Sequence, residues 1–177
     1  MGSRRASLRD FVECHRGAAG IEFALVASTL CLLVLNIFDV ANYIYTRMQV
    51  ENAAQMGAQA AWKTCDPTTL PATKLCAGLG TAVTAAVQST SLGNTVSLQS
   101  GALSEGYYCL NPSGDLQPVG TLDARPVDCS ATSMPNLQPG NYIKVSVTYS
   151  YRPLFSGLTV ARFLETPVQS TSYMRLL

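Results

Sequence analysis

The sequence predicts an α+β protein: a long N-terminal helix, first transmembrane and then amphipathic, precedes a small extracytoplasmic domain with a second helix and an antiparallel sheet. Three observations predict this. Phe23 to Phe38 carries no charge, small apolar residues then recur at helical spacing, and residues 142–151 alternate as in a strand. Only 13% of the 177 residues are charged, against roughly 25% in soluble domains. This deficit favours a chain that lies partly in lipid or packs against like subunits.

The charge distribution predicts the orientation of the helix. Residues 1–17 are polar and cationic, and four arginines precede the apolar run, at positions 4, 5, 9 and 16. Residues 18–45 are long enough to cross about 30 Å of hydrocarbon at about 1.5 Å per residue. Basic residues favour the cytoplasmic side. We therefore expect a cytoplasmic leader at 1–17, a transmembrane helix at 18–45, an extracytoplasmic continuation of the helix at 46–63 and a head domain at 64–177.

The continuation of the helix is predicted from its spacing. Small or apolar residues recur on one helical face, and polar residues occupy another. The apolar face contains Val50, Ala53, Ala54, Gly57 and Ala61. The polar face contains Asn52, Gln55, Gln59 and Lys63. Together with the span, this predicts one helix of about 45 residues, and its small residues permit close approach of another element.

The head domain shows weaker local patterns. Residues 73–90 are Ala-rich and predict a second helix, and 95–99 predict a strand. Residues 100–140 are rich in Gly, Pro, Ser and Asp, which predicts a long loop with short strands around 107–110. Residues 142–151 give the clearest strand, and the segment 168–176 alternates more weakly and is a candidate to pair with it.

The cysteine distribution suggests disulfides. Six cysteines are present, of which Cys14 and Cys31 lie in the leader and the apolar run. The other four lie beyond the span, at Cys65, Cys76, Cys109 and Cys129. An even set on one side of a membrane suits an oxidising compartment. Three pairings are possible, and we favour Cys65–Cys76 with Cys109–Cys129 because short loops cost the least entropy to close.

The junction between leader and helix carries a family resemblance. The stretch RGAAGIEFALV at residues 16–26 joins a basic leader to an apolar helix through a glycine, with Glu-Phe following. It resembles the processing site of type IV-like prepilins, and in detail it is similar to the TadE-like pseudopilins of the tight-adherence (Tad/Flp) pilus system. The run RMQVENAAQMGAQAA at 47–61 resembles the post-membrane helix of that family. The resemblance covers about the first third of the chain.

This resemblance implies that a prepilin peptidase, a membrane aspartic protease, cleaves after Gly17. Ala18 would then be the mature N-terminus, with Glu22 and Phe23 at positions five and six. Gly20 is a competing junction, but cleavage there would put Glu22 second, so Gly17 is favoured. In the pilins that the chain resembles, the fifth-position glutamate pairs with the N-terminal amine of a neighbouring subunit and sets the axial register.

The polar residues of the apolar run have competing interpretations. A carboxylate within a membrane segment costs about 2.5–3.5 kcal/mol on insertion scales, so Glu22 is expected to have a partner such as the Ala18 amine. The alternative is that it reaches the cytoplasmic headgroups. Asn36 lies near the helix face that carries Glu22 and is a candidate for a polar contact between packed helices. For Asp39 and Asn42 we expect simple solvation at the outer interface.

Catalytic and ligand-binding patterns are missing from the sequence. The single histidine is His15, within the leader, and the later cysteines form no CxxC pair. Gly78 and Gly80 follow no strand, so helix packing is favoured over a phosphate loop. We therefore predict no enzyme and no catalytic, cofactor or metal residues. The net charge of +1 gives no argument for nucleic acid.

The aromatic residues beyond the span are expected to pack in a core rather than to bind sugar. They are Trp62 and the tyrosines at 107, 108, 142, 149, 151 and 173.

The function favoured by these observations is that of a minor pseudopilin, a structural and assembly component of a Tad/Flp-type pilus. Its expected location is the bacterial inner membrane, as a single-pass protein with a periplasmic head. Its expected partners are the prepilin peptidase, other pilins and pseudopilins, and the pilus assembly platform. The alternatives are a secreted domain behind an ordinary signal peptide, whose nearest Ala-x-Ala site at 58–60 is far downstream, or a signal-anchored extracytoplasmic binding domain or enzyme unrelated to pili.

Overall fold

The computed structural model describes residues 15–66, 68 and 70–177, with side chains of the first helix from residue 19 onwards. The expectations for the leader at positions 1–14, including its first three arginines and Cys14, lie outside the described residues. For Arg16, Gly17 and Ala18, the structure describes the helical backbone only.

The first helix, α1, runs from His15 to Thr64 without a break. No proline occurs within these 50 residues, so nothing removes a main-chain donor or forces a kink. The Thr64 hydroxyl donates to the Ala60 carbonyl at the end of the helix. The prediction of one long helix through the span and its continuation is confirmed.

The sheet has four antiparallel strands in the order β2-β1-β3-β4. The strands are β1 (Val96–Leu110), β2 (Leu116–Pro118), β3 (Gly140–Tyr149) and β4 (Val168–Arg175). The last strand pairs with β3, with Val145 opposite Ser172. Both the strong strand predicted near 142–151 and its pairing with the C-terminal segment are therefore confirmed, and the fold class is α+β.

Strand β1 is much longer than predicted. The expectation of a loop from residue 100 is wrong for residues 100–106, which continue the strand into the segment predicted as a strand around 107–110. The register against β3 shifts between Leu98 and Leu103, and Gly101 adopts a φ of +70° in this interval. A bulge of this kind absorbs extra residues without ending the pairing. The Gly and Ser residues that suggested a loop therefore belong to an irregular part of the strand.

The predicted second helix is interrupted. It consists of α2 (Ala72–Leu75) and α3 (Leu79–Val87). Gly78 has a φ of +81° and stands between them, a left-handed conformation that suits glycine. The expectation that Gly78 and Gly80 serve helix packing is wrong, because a Cβ at either position would meet nothing within 4 Å. Short 3-10 turns occur at Gly93–Thr95, Ser130–Thr132 and Val160–Phe163.

Contacts divide the chain into two compact units, and α1 contributes to both. We call residues 1–42 with 152–164 the anchor unit, and residues 43–151 with 165–177 the head unit. The described part of the anchor unit begins at residue 15. Within the head unit, the Tyr43 ring meets the Tyr151 ring edge-on at 5.1 Å, and the Tyr43 hydroxyl donates to the Glu165 carbonyl.

The head core forms where α1 meets α3 and β3. A Cβ added to Gly57 would lie 2.8 Å from the Val87 side chain and 3.0 Å from the Val145 side chain. Glycine is therefore the residue that lets these elements approach so closely. The predicted apolar face of α1 is buried, which confirms it. Its members Val50, Ala53, Ala54 and Ala61 are fully buried. Gly57 is also buried, and Ala58, which was not assigned to this face, is buried beside it.

Two disulfides tie down the loops of the head. Cys65, just after α1, bonds to Cys76, just after α2, and Cys109 in β1 bonds to Cys129. These are the two pairings favoured by short-loop closure. The second disulfide packs with Val119 in a small buried cluster.

The aromatic residues of the head divide between packed and exposed positions. The Tyr108 ring packs edge-on against Tyr142 at 5.9 Å and Tyr173 at 5.3 Å. Tyr151 is buried, but Trp62 is 53% exposed. Core packing is therefore the wrong expectation for Trp62. One step along a helix turns a side chain by about 100°, so Trp62 points away from the face on which its neighbour Ala61 is buried.

Candidate functional site

The first half of α1 presents an apolar surface on all sides. Phe23 is 75% exposed and Ile37 is 67% exposed. The other large apolar side chains left exposed here are Ile21, Leu25, Val26, Leu30, Leu32, Leu33, Val34 and Phe38. A helix that is apolar all round requires lipid or other protein around it. By length and composition, α1 is able to cross a membrane.

Glu22 stands within this apolar surface, four residues after Ala18 in the same helix. Its side chain is exposed, as is that of Phe23. The ion pairs between described side chains, Arg47–Glu51 and Lys74–Asp123, do not include Glu22.

Asn36 and Asp39 hold a distant loop against α1 within the anchor unit. The Leu154 N–H donates to Asp39 Oδ1 at 2.8 Å, and the Phe155 N–H donates to Oδ2 at 3.4 Å. The Val160 N–H donates to Asn36 Oδ1 at 2.8 Å, and Asn36 Nδ2 donates to the Leu158 carbonyl at 3.3 Å. Two side chains one helical turn apart thus satisfy four main-chain groups of one loop.

Asp39 corrects an expectation from the sequence. Solvation at the outer interface is wrong for this residue, because its side chain is fully buried. Asn42 is half-buried rather than openly solvated. Asn36 makes a polar contact with a loop of the same chain, and its contact with a packed helix of another subunit stays a prediction. The signal in the sequence was the spacing of Asn36 and Asp39 at i and i+3, which puts both on one helix face.

The loop at 152–164 also satisfies part of its own backbone. The Thr159 hydroxyl accepts from the Ala161 N–H at 3.0 Å and starts the 3-10 turn at Val160–Phe163. The Leu158 N–H donates to the Phe155 carbonyl, and the Leu164 N–H donates to the Ala161 carbonyl. Together with Asn36 and Asp39, these bonds hold the loop in a defined conformation.

The head unit carries ordinary capping interactions at its acidic residues. The Thr68 N–H and hydroxyl both donate to Asp66 Oδ1 at 2.8 Å, and these bonds lower the pKa of Asp66 below 3.8. Hydrogen bonds from Ser130 lower the pKa of Asp128 in the same way. Among the described residues, no group of three or more His, Cys, Asp or Glu side chains is placed to hold a metal ion.

Comparison with known protein families gives a match in the N-terminal part of the chain. The family model described as TadE-like protein matches residues 17–59, from the predicted cleavage junction to the buried face of α1. No curated protein and no solved structure matches the chain. The match ends within α1, so residues 60–177 lie beyond it. Over residues 17–59 the chain is similar to TadE-like proteins, and its first helix is long and apolar enough to cross a membrane. This similarity points to a membrane-anchored, pseudopilin-like component associated with a Tad pilus.

Proposed function

We propose that this chain is a minor pseudopilin, a non-enzymatic structural component of a Tad/Flp-type pilus. A prepilin peptidase cleaves it after Gly17, and it assembles with other pilins or pseudopilins through α1. The observation that carries this proposal is the TadE-like match, which begins at Gly17 and runs through the exposed apolar half of α1. The charge pattern supports a cytoplasmic N-terminus, and the two disulfides suit a periplasmic head.

In this proposal Glu22 selects the position of the incoming subunit. Cleavage creates an ammonium group at Ala18, at the edge of the apolar surface. Pairing this cation on one subunit with the Glu22 carboxylate on the next removes two isolated charges from lipid, where each is costly. Apolar contacts alone do not fix axial register, because neighbouring positions along a uniformly apolar helix offer similar packing. The charge pair supplies that register.

The role of Glu22 is tested by incorporation into pili. We expect Glu22→Ala and Glu22→Gln chains to be made and membrane-inserted, but depleted about tenfold or more from sheared pili, since a tenfold change corresponds to about 1.4 kcal/mol. The matched control is Glu51→Gln, a carboxylate in the same helix whose partner, Arg47, lies 3.3 Å away. Immunoblots of sheared and membrane fractions give the ratio. Normal incorporation of both Glu22 variants would contradict the assembly role.

A further inference from the structure

The loop of the anchor unit, residues 152–164, has an unusually apolar surface. Its large apolar side chains are 36% to 75% exposed. They are Leu154, Phe155, Leu158, Val160 and Phe163. Clustered exposed apolar residues in one segment mark a contact with lipid or protein.

Several main-chain groups of this loop are hydrogen-bonded within the protein, as an apolar environment requires. Irregular chain cannot enter lipid with unpaired N–H and C=O groups, because each costs several kcal/mol there. Asn36 and Asp39 take up three N–H groups and one carbonyl of the loop. Thr159 takes up another N–H. A loop exposed only to water has no comparable need, since water would satisfy these groups.

The loop also lies at the depth where a bilayer ends. Asn36 and Asp39 follow Ala18 by 18 and 21 residues, which corresponds to about 27–32 Å along a helix. The hydrocarbon core is about 30 Å thick. A helix that enters lipid near Ala18 therefore brings this pair to the far boundary of the hydrocarbon, and the loop bonded to the pair arrives at the same level.

Two exposed arginines in the loop are typical of a segment that lies at a membrane interface. Arg152 and Arg162 are exposed, and neither belongs to the ion pairs of the described side chains. The Arg162 guanidinium lies 4.5 Å from the centre of the Phe163 ring. Arginines of this kind lay their stems along apolar surface and direct their charge to the headgroups.

We propose that residues 152–164 insert into the outer leaflet beside α1 and form a second membrane contact of this chain. The apolar side chains enter the acyl region, Asn36 and Asp39 hold the backbone, and the arginines reach lipid phosphates. This inference rests on the membrane anchoring in the proposed function, but not on cleavage or pilus assembly. It makes the outer leaflet, and not a second protein, the partner of this surface.

Depth-dependent fluorescence quenching tests the proposal in the full chain. Starting from Trp62→Phe, which removes the only tryptophan, a single probe is placed by Phe163→Trp or, in a second variant, Leu158→Trp. Leu30→Trp serves as the reference within the span, and the parent chain with Trp62 serves as the extracytoplasmic reference. Each chain is reconstituted in phosphatidylcholine vesicles with or without bromine on the acyl chains.

We expect both loop probes to show blue-shifted emission and roughly half or more of the quenching seen for Leu30→Trp, as fits insertion of about 5–10 Å. Water-like emission without quenching at both loop positions would overturn the inference. Blue-shifted emission without bromine quenching would also overturn it, in favour of packing against a second copy. If Leu30→Trp is itself unquenched, the membrane anchoring of the proposed function fails, and this inference fails with it.

Discussion

At the scale of single residues, polar groups in an apolar helix were identified by the sequence, but their partners were not. Asp39 is separated from its partner Leu154 by 115 residues, and Asn36 is separated from Val160 by 124. No periodicity in the sequence reports contacts over such separations. Proximity to the outer interface therefore suggested solvation, whereas the carboxylate is buried against main-chain donors.

Asp39→Ala is expected to loosen the loop at 152–164. It leaves the part-buried N–H groups of Leu154 and Phe155 without this acceptor. A donor left unsatisfied away from water costs about 1–3 kcal/mol. Hydrogen exchange of peptides covering the loop, measured on the full chain in detergent, should accelerate at least about tenfold, since about 1.4 kcal/mol is tenfold. Ser28→Ala is the control, because the Ser28 hydroxyl donates to the Leu25 carbonyl of its own helix. Equal hydrogen-exchange rates of the loop in Asp39→Ala and in the parent chain would contradict the role of Asp39 in holding the loop at 152–164.

The turn after α1 gives a prediction of pH dependence. Because the pKa of Asp66 is lowered from 3.8 by Thr68, the turn is stabilised above that pH, and the stabilisation is lost as pH falls through the folded value. Thr68→Val removes the hydroxyl bond but keeps the N–H bond, so the pKa of Asp66 should rise part of the way towards 3.8. An NMR titration of the carboxyl resonances measures this. Asp128, bonded to Ser130, is the internal control. An unchanged pKa of Asp66, or an equal shift at Asp128, would count against this assignment.

At the scale of elements, regular periodicity was predictive and local irregularity was not. The small-residue face of α1 and the alternation of β3 are strict repeats, and both were predicted correctly. The bulge in β1 and the break between α2 and α3 each depend on a glycine with positive φ, Gly101 and Gly78. A glycine in the sequence marks a possible irregularity, but tertiary pairing decides whether the element resumes beyond it.

Gly57 is predicted to be the tightest point of the head core. In Gly57→Ala the new methyl group meets Val87 at 2.8 Å and Val145 at 3.0 Å, and overpacking of this kind costs about 1–3 kcal/mol. The matched control is Gly80→Ala, also helical, where a Cβ meets nothing within 4 Å and helix propensity favours alanine by up to about 1 kcal/mol. Thermal unfolding of the full chain in detergent should show a lower Tm for Gly57→Ala only. Indistinguishable Tm values for the two variants would contradict this packing.

At the scale of the whole molecule, the sequence predicted the order of the helices and strands along the chain. It did not predict which residues pack together in one compact unit. A linear division into leader, span, helix continuation and head remains our proposal for topology. The compact units do not follow that division, because residues 152–164 contact the first part of α1. The family match covers residues 17–59 only, and the sheet and the loop at 152–164 lie beyond it.

The central claim is that the chain is a pilin-type precursor cleaved after Gly17. The most direct measurement is mass spectrometry of the mature N-terminus after expression of the full chain with and without a prepilin peptidase. We predict a peptidase-dependent start at Ala18, retained in Gly20→Ala, where the new Cβ meets nothing within 4 Å. A start within residues 40–61 would instead indicate a secreted domain behind a signal peptide, and an intact Met1 end in the presence of the peptidase would contradict the claim.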